Sequence, residues 1–379
     1  MPYTDTSRNR LATRLAFLVA GFGIACWAPL VPFAKERLAV DDAMLGMLLL
    51  CLSGGSVGAM LLTGFASARY GNRPIILAGC LGLSVILPFL TIASTPPALG
   101  FLLATFGASL GSLNVAMNIH AVEVERAAGR SLMSGFHAQF SVGGFAGSTL
   151  MTFLLSIHLN EVLCAALCSG LMLIATALTA PRLLRQVATK VGRISVASRG
   201  NVLLLAALAG ITFLAEGAVL DWGGLLITRA GLVPVAQGGI GYVLFSIAMA
   251  TGRLCGDWIV ASVGDRAILF WGSILAIAGF VIAITAPIAT LAMVGFLLIG
   301  LGASNIVPVL FRRAGTQNAM PSGLAVATMT TVGYAGILVG PAAIGFIAKV
   351  GGLAPAFGLL AASLCLVTFT SRIVTANGA

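Results

Sequence analysis

Charge is scarce in this chain. Only 8% of its 379 residues are Asp, Glu, Lys or Arg, and just 11 of them are acidic. Lysine occurs only as Lys35, Lys190 and Lys349, none in the glycine-lysine-serine/threonine context of a phosphate-cradling loop, which excludes an ATP-driven pump. There is no basic cluster with interleaved aromatics, which excludes a nucleic-acid face. Histidine is limited to His120, His137 and His158 in different segments, so no metal site can be assembled. The seven cysteines, Cys26, Cys51, Cys80, Cys164, Cys168, Cys255 and Cys365, all lie in apolar runs, where they pack rather than form a disulfide framework. No loop is long enough for a catalytic domain and nothing resembles a repeated selectivity filter, so an enzyme and a channel both drop out, and no cofactor is expected.

What is there in quantity is apolar length. With 59% hydrophobic residues and a mean hydropathy of +1.06, the chain is a multi-spanning membrane protein. Runs of about 20 apolar residues predict twelve spans near 13–34, 43–66, 74–93, 97–120, 131–156, 160–180, 202–226, 237–261, 267–287, 290–311, 323–348 and 353–371. The run that begins at Leu15 continues through Trp27 and Pro29, so it reads as an uncleaved first span rather than a signal peptide. With the N-terminus inside, sixteen Lys and Arg residues fall in inside segments and four in outside ones, with Arg253 within a span. That asymmetry predicts both termini on the cytoplasmic side and accounts for the net charge of +10.

The connection 181–200 is long, polar and basic, and divides the sequence into an N-terminal bundle, 1–180, and a C-terminal bundle, 201–379. It is expected to lie at the anionic inner leaflet, with a short amphipathic helix as one form. The halves are related. Phe101 to Ser109, FLLATFGAS, and Phe296 to Ser304, FLLIGLGAS, agree at six of nine positions 195 residues apart. The loop Tyr70-Gly71-Asn72-Arg73 is echoed 193 residues on by Val263-Gly264-Asp265-Arg266. Gly143, Gly144 and Gly147 in span five, and Gly336, Gly340 and Gly345 in span eleven, offer small residues for close helix contact. A duplicated membrane protein with polar groups near the midplane of both repeats suits alternating access.

The loop from Gly64 through Arg69 and Gly71 to Arg73 resembles the signature between helices two and three of the major facilitator superfamily, with Ala68 and Asn72 at positions where an acidic and a basic residue are usual. Gly135-Phe136-His137 with Ser141, and Ala215-Glu216-Gly217 with Asp221-Trp222, resemble a bacterial branch that includes rhizopine-transport-related proteins and, more distantly, fucose permeases. The resemblance implies an all-α fold of twelve transmembrane helices in two pseudo-symmetric six-helix bundles, a central cavity and proton coupling, in a bacterial inner membrane. The substrate does not follow from it.

Glu216, mid-span in an apolar run, is the leading proton-coupling candidate, because a charge there is costly and its protonation depends on whether water reaches it. His137 is a second candidate; Asp221, nearer the outer mouth, is either a third or a structural cap. Asn114 and Asn118, one turn apart, with Gln139, Trp27, Tyr242, Asn305 and Tyr334, are candidates for a substrate cavity or for helix–helix packing. Arg69, Gly71, Arg73, Glu123, Arg253 and Asp257 are expected at a cytoplasmic gate, with Arg253 and Asp257 as an i, i+4 latch. His120 and Glu125 belong to the same end, and Gly340-Pro341 to a loosened helix. The expected function is proton-coupled secondary transport of a small organic solute, sugar-like or polyol favoured, by a protein acting as a monomer. Efflux of lipophilic compounds and ligand sensing without flux are the alternatives, and a polar rather than an aromatic, methionine-rich cavity discriminates them.

Overall fold

The structure is a computed structural model and describes residues 7–40, 42–184, 199–234, 240–318 and 320–376. All regular structure among them is helical: α1 (Ser7–Trp27), α2 (Val31–Leu38), α3 (Asp42–Tyr70), α4 (Asn72–Ile92), α5 (Pro96–Ala128), α6 (Met133–Ser156), α7 (Glu161–Thr179), α8 (Arg199–Arg229), α9 (Ile240–Thr285), α10 (Ala289–Ala303), α11 (Ile306–Thr316), α12 (Ser322–Gly351) and α13 (Leu353–Ala376). Ten helices among the described residues are long and apolar enough to cross a membrane. The short connections expected around residues 94–96, 157–159 and 287–290 lie between α4 and α5, α6 and α7, and α9 and α10. Most of the basic connection, 185–198, lies outside the described residues, and so does the side chain of Pro341.

The helices break where the sequence gives local cause. α1 gives way to a 3-10 turn at Ala28–Leu30 that carries Pro29, and α2 resumes with Pro32 in its first turn. α5 opens on Pro96, where the missing N–H has no intrahelical partner to lose, and closes on Gly129 at φ 63°, ψ 19°. The 46 residues of α9 are two helices joined at Gly264, whose backbone (φ 81°, ψ 162°) is out of reach of an L side chain. Gly71, between α3 and α4, has almost the same conformation at φ 80°, ψ 167°.

The chain divides into two compact units, Met1–Arg130 with Phe136–Arg193, and Ser131–Gly135 with Ile194–Ala379. In unit 1, α5 packs on α3 and α4, and α7 on α4 and α1. A Cβ on Gly107 would overlap the Leu52 carbonyl, and Cβ atoms on Gly143 and Gly147 of α6 would overlap the Leu18 and Phe22 carbonyls of α1. In unit 2, α10 packs on α9, and α8 on α12. A Cβ on Gly300 would overlap the Phe245 carbonyl, and one on Gly336 would sit 2.6 Å from the Gly210 carbonyl oxygen. These backbones approach without side chains between them, which is how helices gain dispersion energy where lipid already matches their apolarity. Gly107 and Gly300 are 193 residues apart, as are Leu52 and Phe245, and as are Gly71 and Gly264.

Candidate functional site

Unit 2 gathers its polar groups around a break in a helix. Pro308 has no N–H, so the Ser304 carbonyl four residues earlier has no intrahelical donor, and α10 ends at Ala303 before α11 restarts at Ile306. Arg253 of α9, buried at 8% exposure, supplies the donor instead: its Nε bonds the Ser304 carbonyl at 3.2 Å. Its Nη2 pairs with Glu216 Oε2 of α8 at 3.4 Å. Asn305, in the break itself, donates from Nδ2 to the Gly252 carbonyl at 2.8 Å and to Ser304 Oγ at 3.0 Å. Two acceptors in this cluster are buried with no hydrogen bond among the described residues, Glu216 Oε1 and Asn305 Oδ1. Tyr334 of α12 stacks near Phe213, with ring centroids 5.9 Å apart, and lies within electrostatic reach of Glu216.

One turn beyond Arg253, Asp257 accepts hydrogen bonds from the backbone amides of Ser134 and Gly135, both at 2.9 Å. These are first-turn amides of α6, donors that have no partner inside their own helix, so the carboxylate caps that helix from another one. Gly135 has no Cβ for a reason: one built there would stand 2.6 Å from Asp257 Oδ2. Besides the expected i, i+4 relation between Arg253 and Asp257, Arg253 contacts Glu216 and Asp257 contacts the start of α6. Asp221, five residues after Glu216, is exposed, and Tyr242 is half-buried with its ring 6.0 Å from that of Phe245.

Unit 1 brings together Asn118 and His137. The Asn118 Nδ2 donates to the Asn114 carbonyl at 2.8 Å, which fixes the amide orientation and turns Oδ1 toward His137 Nε2 at 3.2 Å. That nitrogen therefore carries a proton in this arrangement. The Phe17 ring stands edge-on to the imidazole at 5.2 Å. Asn114 and Asn118 are both 3% exposed, and Gln139 is half-buried. Trp27 is buried and its Nε1 has no hydrogen bond among the described residues.

His120 has a structural role. The Leu184 amide donates to its Nε2 at 3.1 Å, so Nδ1 holds the proton and faces Thr13 Oγ1 at 3.1 Å, which in turn donates to the Asn9 carbonyl at 2.9 Å. Both ring nitrogens are used in tying α5 to α1 and to the segment after α7. At the same end of α5, Glu123 has Asn72 and Arg126 within electrostatic reach. Arg69 is exposed with its guanidinium 5.4 Å from the Tyr70 ring centroid, and Arg73 is half-buried.

Two charged clusters escaped the sequence reading. Asp265, which follows the Gly264 turn, pairs with Arg313 Nε at 2.6 Å and Arg312 Nη1 at 3.2 Å. Arg37 of α2 donates to the Leu90 and Ala93 carbonyls at 2.8 and 3.0 Å and pairs with Glu161 at 3.2 Å, so it caps the end of α4. The signal for the first was present, since Asp265 stands in the Gly264 loop where the similar Gly71 loop has Asn72, but its partners lie 47 and 48 residues away and nothing local pairs them with it.

Comparisons with known proteins fit this arrangement of broken, glycine-packed helices. The model of the Major Facilitator Superfamily matches residues 14–319. An uncharacterised MFS-type transporter of Yersinia pestis is 46% identical over 368 residues, covering 97% of this chain and 96% of the relative. Membrane protein MosC of Rhizobium meliloti is 31% identical over 358 residues, covering 93% of this chain and 87% of its own length. Among solved structures, the major facilitator transporter FucP in the outward conformation superposes with a TM-score of 0.81 at 14% identity, covering 96% of this chain and 98% of its own. With a family model spanning most of the chain, bacterial relatives along nearly all of it and the matching fold, this protein is a member of the major facilitator superfamily, a multi-pass transport protein of the bacterial inner membrane and not an enzyme.

Proposed function

We propose that the protein is a proton-coupled secondary transporter of a small, neutral, hydroxyl-rich solute, working by alternating access. The observation that carries this reading is the Glu216 carboxylate: one oxygen is held by Arg253, and the other is buried with no hydrogen bond among the described residues. Such an oxygen is a place for a proton or for a donor of the solute, and leaving it unmet costs about 1–3 kcal/mol. Protonating Glu216 weakens its hold on Arg253, and the same arginine secures the Ser304 carbonyl at the helix break, so proton binding and the shape of α10 and α11 are linked through one side chain. Asn305 Oδ1, a second unmet acceptor in the cluster, favours a ligand rich in donors over a lipophilic one. The structural neighbour FucP is a fucose:proton symporter, a precedent for that ligand class on this fold.

The remaining architecture follows the same reading. Twelve spans result when α9, at about 1.5 Å rise per residue, is counted as two crossings of a hydrocarbon core about 30 Å thick, with α12 as a further span. The glycine contacts and turns that recur 193 residues apart support a duplicated pair of six-helix bundles, 1–180 and 201–379, joined by the basic connection, with both termini cytoplasmic and the protein a monomer. His137 joins Glu216 in proton handling, with Asp221 at the outer mouth. Trp27, Asn114, Asn118, Gln139, Tyr242, Asn305 and Tyr334 contribute to solute recognition, and Arg69, Gly71, Arg73, Glu123, Arg253 and Asp257 to closing the cytoplasmic side.

The test is a thermal-shift screen of purified protein against sugars, polyols and lipophilic cations, followed by uptake in proteoliposomes. A hydroxyl-rich ligand that stabilises the protein by mass action should accumulate under an imposed pH gradient. Stabilisation by lipophilic compounds alone would reject the solute class. Gradient-driven uptake that is unaltered in Glu216→Gln would remove Glu216 from the mechanism.

A further inference from the structure

A small cleft open to solvent lies in unit 2, lined by Asn201 and Leu205 of α8, Arg313, Thr316 and Gln317 at the end of α11, and Val374 of α13. It lies away from the Glu216 cluster and nothing above uses it. Its chemistry is lopsided. Arg313 commits Nε to Asp265, and its two Nη groups have no partner among the described residues. Those groups carry four N–H donors in a planar fork. The half-buried Asn201 amide also lines the cleft. Gln317 is not available, because it closes its own turn by donating to the Ala314 and Met320 carbonyls and accepting from the Met320 amide. Asp265 pairs with both Arg312 and Arg313.

We propose that this cleft binds the phosphate group of an anionic phospholipid of the inner leaflet, with Arg313 and Asn201 donating to the phosphate oxygens and Leu205 and Val374 lining the glycerol end. Free phosphate shares the headgroup chemistry, but two observations favour the lipid. Leu203 of α8 and Ile373 of α13, on two of the helices that line the cleft, are 56% and 54% exposed, which leaves apolar surface for acyl chains on those helices. The cleft also lies at the end of the chain where the basic residues concentrate, the side on which anionic lipids attract them. A guanidinium fork matches a phosphodiester better than it matches a zwitterion whose own ammonium competes for the oxygens. The proposal uses the inside placement of that end and is independent of whether Glu216 carries the proton.

The test uses the full chain in a neutral detergent, with phosphatidylglycerol, phosphatidylcholine and inorganic phosphate as probes, read by native mass spectrometry and thermal unfolding. Phosphatidylglycerol should be retained and should stabilise the protein where the other two do not. Arg313→Gln should weaken its binding about tenfold, the loss of a charge-assisted pair. Because that substitution also disturbs Asp265, Leu205→Trp provides the second variant: it fills the cleft, leaves the Asp265–Arg313 pair in place and should weaken binding equally. Equal retention of phosphatidylcholine, unweakened binding in Leu205→Trp, or stabilisation by inorganic phosphate matching that of phosphatidylglycerol would each overturn the assignment.

Discussion

Replacing two glycines by asparagine separates backbone demand from packing. Gly129 and Gly264 both have positive φ, and a Cβ built at either meets no heavy atom within 4 Å. Steric overlap is therefore absent at both. Gly129 lies at φ 63°, ψ 19°, in the left-handed region that asparagine visits readily. Gly264 lies at φ 81°, ψ 162°, a region essentially closed to L residues, where occupancy costs of order 1–3 kcal/mol. Both substitutions also restrict the unfolded chain, by a similar amount of about 0.4–1 kcal/mol, so that contribution cancels in the comparison. Gly129→Asn should consequently be near neutral, while Gly264→Asn should lose on the order of 1–3 kcal/mol. Reversible unfolding in mixed detergent micelles, followed by helical circular dichroism, reads the difference. Equal losses at the two sites would refute the claim that the turn joining the two halves of α9 demands glycine.

Two further substitutions probe the packing and the buried polar ties. Gly107→Ala and Gly300→Ala, each forcing a Cβ onto a neighbouring carbonyl, should destabilise by about 1–3 kcal/mol and by similar amounts, because the overlaps are alike; thermal unfolding checks both, and a neutral result at either would sever the parallel. His120→Leu leaves the Leu184 amide without its acceptor, while Thr13 keeps its bond to the Asn9 carbonyl, and should cost about 1–3 kcal/mol. If it instead altered the pH profile of transport without loss of stability, His120 would be a proton carrier and not a tie.

The membrane-spanning character was legible because it is written in local pattern, in apolar runs and short connections, and the matching loops at Gly71 and Gly264 do adopt nearly the same backbone conformation. The site was legible in its members but not in its pairings. Glu216, Arg253 and Asn305 stood out as polar residues in apolar helices, but the i, i+4 spacing speaks only of Arg253 and Asp257, while the break between α10 and α11 also engages Arg253 at Ser304 and Glu216. The break itself was readable in principle from Pro308, whose missing N–H frees the Ser304 carbonyl. Arg312 and Arg313 were counted only as inside charges, because nothing in the sequence says that Asp265 returns to meet them. His120 was assigned to a gate on its position near a helix end. Its fixed tautomer emerges only once the Leu184 amide is seen to donate to it.

The most direct measurement concerns proton movement itself. In proteoliposomes holding a pH-sensitive dye, addition of a hydroxyl-rich solute that the protein binds should acidify the lumen of wild-type vesicles, and Glu216→Gln vesicles should take up the solute down its gradient with no acidification. Solute entry without proton entry in the wild type, or acidification that survives in Glu216→Gln, would contradict a carboxylate-coupled transporter.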